Sequence, residues 1–194
     1  MDIALGVLRV VHVVNAILMG WPAYALVVVN QRVRLGPPLG DRADLYMENI
    51  IKNRTIPCFV FQGTALASGL ALVLLRGQGL RPLVADPRLG LKFLLLAFII
   101  ALLTYVHLRL QPRIDALFAQ AGVPVAPDLA PRIAAMRLRR KRMASVCMFV
   151  VLTIAVLGVQ VSSPFPAWLA ALLVAAIVAF TWRSYRSVTP YGWA

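Results

Sequence analysis

Five long apolar runs, set apart by polar stretches, make up most of the hydropathy pattern of this chain, and they fall at residues 4–29, 55–75, 90–110, 143–161 and 166–182. Each is close to or above the lower limit of ~17–20 residues that a bilayer-spanning helix needs. The pattern predicts an all-α integral membrane protein, with five transmembrane helices forming one bundle and one domain over 1–194. The first run carries a single charge, Arg9, and is longer than a signal-peptide apolar region, so it reads as a helix of the mature protein. His12, Asn15 and Met19 share one of its faces, and Gly20-Trp21-Pro22 predicts a kink. In the second run Gly63, Ala67 and Ala71 make a small-residue stripe with Ala65 and Gly69 alongside, which predicts a central helix, with Gln62 and Thr64 facing protein. Residues 162–165 are a turn short enough to make the last two spans an antiparallel hairpin. Trp168 and Trp182 suit interfacial anchors at the two ends of the fifth span.

Between the spans the pattern changes. Gly36-Pro37-Pro38-Leu39-Gly40 and residues 76–89 read as loops, and 111–142 as the main extramembrane segment. Over 41–53, Asp41 is a candidate N-cap with an acid three residues on. Ala43, Tyr46, Met47, Ile50 and Ile51 then fall on one face, with Asp44, Glu48, Asn49 and Lys52 largely off it. This predicts an interfacial amphipathic helix after the first span, its carboxylates solvated rather than catalytic.

Composition and charge refine this picture. The chain is 61% hydrophobic and 14% charged, well above the ~45–50% apolar content of soluble domains. Its +13 net charge lies beside apolar runs, which points to topology and anionic headgroups and not to nucleic acid. Arg113, Arg137, Arg139, Arg140, Lys141 and Arg142 are read as lipid-facing for that reason. Segments 30–54, 109–142 and the tail together hold fifteen Lys/Arg, against four in 76–92. The imbalance places the N-terminus outside and the C-terminus in the cytoplasm.

Chemistry enters through few residues. His12 and His107 are the candidate haem ligands, but their depths differ by ~10–15 Å, so they do not suit a single iron. Cys58, His107 and Cys147 lie near one level and form a candidate set for a soft metal such as Cu(I) or zinc, without metal-ligand spacing such as CxxC or HxxxH. Gln62, Thr104, His107 and Arg109 make a polar cluster in the cytoplasmic half. No Walker, GxSxG or HExxH motif is present, and the spans carry almost no carboxylates for a proton relay.

His12 in the first helix, the small-residue second helix and Leu110-Gln111-Pro112-Arg113 after the third resemble transmembrane protein 205-like membrane proteins over about residues 4–160. The resemblance implies a helical membrane bundle, typically of four helices, and some similar proteins are linked to haem or copper; a fifth span departs from that pattern. The expected function is a non-catalytic accessory or assembly subunit, with other membrane subunits or self-association as partners. The alternatives are a redox protein with haem or metal on His107 or His12, and a small-molecule or metal transport protein.

Overall fold

The computed structural model describes residues 2–29, 40–75, 79–122 and 125–186, and all its regular structure is helical. Helix α1 (Asp2–Val29) continues through Pro22, and α2 spans Arg42–Lys52, α3 Thr55–Leu74, α4 Arg81–Ala85 and α5 Pro87–Tyr105. A π-helical turn over Val106–Leu110 leads into α6 (Gln111–Gln120), followed by α7 (Ala130–Ser162) and α8 (Ala167–Arg186). Five segments are long and apolar enough to cross a membrane: Ile3–Pro22, Arg42–Leu74, Pro87–Gln120, Ala130–Ser162 and Ala167–Arg186. Residues 36–39 of the expected first loop, 123–124, and the tail beyond Arg186 lie outside the described residues.

The starts of the helices follow local chemistry. Asp41 caps α2, its carboxylate accepting from the Asp44 N–H at 2.7 Å, and the Asp44 carboxylate reaches back to the Gly40 N–H at 3.0 Å. Gly40 has φ +84°, and a Cβ there would sit 2.5 Å from Val125 Cγ2, so only glycine fits. Asp86 caps α5, ahead of Pro87 in the first turn where the missing N–H costs nothing. Arg88 holds the Asp86 carboxyl below the usual carboxylate range through its side-chain hydrogen bonds. At the other end of the last hairpin, the Gln160 amide donates to the Phe165 carbonyl and accepts from its N–H.

Three boundaries differ from the sequence expectation. Part of the 76–89 loop contains the short helix α4, begun by Pro82. The third span does not stop at residue 110. Pro112 has no N–H for the Leu108 carbonyl, and the helix widens to a π turn, with Gln111 N–H bonded to Val106 O, before continuing as α6. The basic run at 137–142 belongs to α7 and is continuous with the fourth span.

Helix α1 packs mainly on α3 and α7, α7 also on α5 and α8, and α3 on α5. The core they enclose is built on Met19, Ala65, Leu96, Ile99, Val150 and Val151. The polar face of α1 turns toward α3: His12 Nδ1 is 2.8 Å from Ser68 Oγ, and Asn15 donates to the Phe61 carbonyl. Gly69 makes room for this, since a Cβ there would meet His12 Cε1 at 3.2 Å. The side of α3 that packs inward therefore carries Ala65, Ser68 and Gly69. Gly63 and Ala67 lie exposed on the outer side, and a Cβ at Gly63 would touch nothing within 4 Å. Of the small residues expected to make α3 central, Gly63 and Ala67 face outward and Ala71 is half-buried, whereas Ala65 and Gly69 pack inward.

Candidate functional site

The most concentrated polar chemistry lies where α2, α6 and α7 meet. Asp44 and Glu48 are one turn apart on α2, and Arg137 and Arg140 are i, i+3 on α7, so each pair presents one face. All four are nearly inaccessible: Asp44 and Glu48 are 5% exposed, Arg137 5% and Arg140 3%. Arg137 Nη1 donates to both Asp44 oxygens at 3.0 and 2.9 Å, and its Nη2 lies 3.0 Å from Glu48 Oε2. Arg140 donates to both Glu48 oxygens, with Nη2 to Oε2 at 2.9 Å, and to Gln111 Oε1 at 2.6 Å. Gln111 Nε2 in turn reaches Glu48 at 3.3 Å and Asp115 at 3.1 Å, and Lys52 pairs with Asp115 at 2.9 Å. Phe118 of α6 closes one side, its ring 4.6 Å below the Arg137 guanidinium.

Two expectations are corrected by this network. Asp44 and Glu48 form the inward face of α2, not a solvated one, while Ala43 and Tyr46 lie outward. Of the six basic residues read as lipid-facing, Arg137, Arg140 and Lys141 are buried in protein. A charge this deep is costly unless it is paired, and the α2 acids pair the two arginines. Arg113 is exposed, Arg139 is exposed with its guanidinium 5.5 Å over Tyr105, and the half-buried Arg142 lies 5.4 Å over Tyr185. The overlooked signal is the match of two acids at i, i+4 with two arginines at i, i+3, in a chain with only seven acids.

The other candidates are scattered or regrouped. His107 is exposed and sits edge-on to Phe59, with ring centroids 5.8 Å apart, whereas His12 meets Ser68. These contact points are nine residues apart on α3, or ~13 Å, and the two histidines do not converge. The polar cluster does not gather either: Thr104 bonds the Ile100 carbonyl of its own helix, His107 and Arg109 are exposed, and Gln62 is buried. Among the described residues no three His, Cys, Asp or Glu are grouped, so His107 does not complete a set with Cys58 and Cys147. The two cysteines do share a cavity of about 100 Å³, also lined by Met19, Gln62, Gln111 and Arg140, directly beneath the ion-pair network. No protein-family model, curated protein or solved structure matches the chain.

Proposed function

We propose that this chain is a non-catalytic accessory or assembly subunit of a larger membrane complex, its five long helices crossing the bilayer as a bundle. The outward small-residue face of α3, Gly63 and Ala67, is the observation that carries the reading. Lipid tails are as apolar as leucine, so helices associate in a membrane through close backbone approach, which small residues permit. Among the described residues this face is unused, and the partner it fits is another transmembrane helix with a matching small-residue face.

The charge pattern supplies the orientation in this reading, with the N-terminus outside and the C-terminus cytoplasmic. Helix α2 then lies at the cytoplasmic interface, its exposed Tyr46 at headgroup level and its acids turned in to α7. Exposed Arg113 and Arg139 meet anionic headgroups there.

Affinity purification of the tagged chain from its native membrane in mild detergent tests the proposal. The expected result is recovery of another membrane polypeptide at fixed stoichiometry from wild type, and its loss from Gly63→Ile and Ala67→Ile while the tagged chain stays folded. Equal recovery from wild type and both variants, or no companion at all, contradicts it.

A further inference from the structure

The cavity under the ion-pair network is lined by both cysteines of the chain and one of its six methionines. Cys58 and Gln62 are one turn apart on α3, Arg140 and Cys147 are i, i+7 on α7, and Met19 comes from α1. Both cysteines and one thioether, from three helices, therefore line one space of about 100 Å³. A second observation points to an occupant. Gln62 is 5% exposed, and its Oε1 has no hydrogen-bond partner although it lines the same space. A buried carbonyl oxygen in this state calls for a donor or a cation.

We propose that this cavity binds one soft monovalent metal ion of the Cu(I) class, through Cys58 Sγ and Cys147 Sγ with Met19 Sδ as third donor. Thiolate and thioether sulfur select soft ions. A structural zinc site needs four N, S or O donors, and among the described residues no third His, Cys, Asp or Glu joins the thiols. On binding, two S–H bonds break, two metal–thiolate bonds and one metal–thioether bond form, and both thiol protons leave to buffer; the metal keeps its oxidation state. The resulting bis-thiolate centre carries one negative charge, beside the Arg54 and Arg140 side chains that line the cavity. The ion would tie α3 to α7 on the side of the core next to the network.

Anaerobic titration of the purified full chain with Cu(I), in competition with a chromogenic Cu(I) chelator, tests this. One ion per chain is expected. Affinity should fall at least about tenfold in Cys58→Ser and in Cys147→Ser, since even an outer-shell contact to a metal ligand is worth about 10–100-fold. Met19→Leu should lose less, and His107→Ala nothing. In the unsubstituted chain, one equivalent of Cu(I) should shield both thiols from maleimide together, a readout independent of how the variants fold. No binding, thiols that still react after one equivalent, or a loss in His107→Ala equal to that in the cysteine variants would overturn the proposal.

Discussion

Glu48 meets Arg137 and Arg140 and shares Gln111 with the latter, so its two oxygens join α2, α6 and α7. Removing one member of such a pair strands the other charge. Arg140→Ala is predicted to destabilise the protein by about 3–5 kcal/mol, and Glu48→Ala by a similar amount. Arg140→Ala combined with Glu48→Ala should cost clearly less than the sum, because neither charge of the pair is then left buried without the other, and Arg137 keeps Asp44. Thermal unfolding of the four proteins in one detergent reads the coupling, and strictly additive losses would show that the pair is not coupled. At Gly40, φ +84° and the Val125 methyl both oppose a side chain, so Gly40→Ala should lower stability by about 1–2 kcal/mol or more. The same melts check it, and an unchanged midpoint would contradict it. The Asp41 cap was legible in the sequence. The direction of Asp44 and Glu48 was not, because their partners are about 90 residues away and hydropathy places any acid outward.

At the scale of elements, the apolar cores of all five long helices could be read from hydropathy, and so could most of their ends; the end of the third span and the start of the fourth could not. Helix α7 shows why. Its buried positions, Ile133, Arg137, Arg140, Lys141, Ser145 and Met148, repeat every three or four residues straight through the basic run. The helical period is intact, but three of its eight buried positions are charged, and a pattern read in apolar residues ends where they begin. The π turn was hidden for a related reason: Pro112 argues for a stop, and widening one turn lets the helix continue. The start of α5 carries a pH dependence. Its Asp86 carboxyl is held low by Arg88, so the ionised form stabilises the fold. That contribution is present above the ordinary aspartate value near 4 and is lost as pH falls through the lowered one. The gap in unfolding temperature between wild type and Asp86→Asn should thus be widest near neutrality and close on acidification. A gap that widens toward acid would contradict the assignment.

For the whole molecule, the sequence indicated a helical membrane protein, and the outward and inward faces needed the structure. Gly63 and Ala67 read as central by residue type, yet α3 uses its Ser68–Gly69 side to receive His12. Small residues permit close approach on either side of a helix, and only the neighbours show which side is used. Cys58 and Cys147 were placed at one level by counting residues. Met19 was not among their expected partners, because its depth on α1 depends on how that helix packs against α3 and α7. The proposed topology predicts that a reporter fused after residue 194 faces the cytoplasm and one before residue 1 faces outside; the reverse pattern would move α2 and the network to the other side.

The most direct test of the assembly account is the mass of the particle in its own membrane. Native mass spectrometry after extraction in a lipid-retaining polymer should show the 21.2 kDa chain in a heavier species of fixed composition, which dissociates when Gly63 and Ala67 are both isoleucine. A wild-type chain found only by itself at 21.2 kDa would contradict the account.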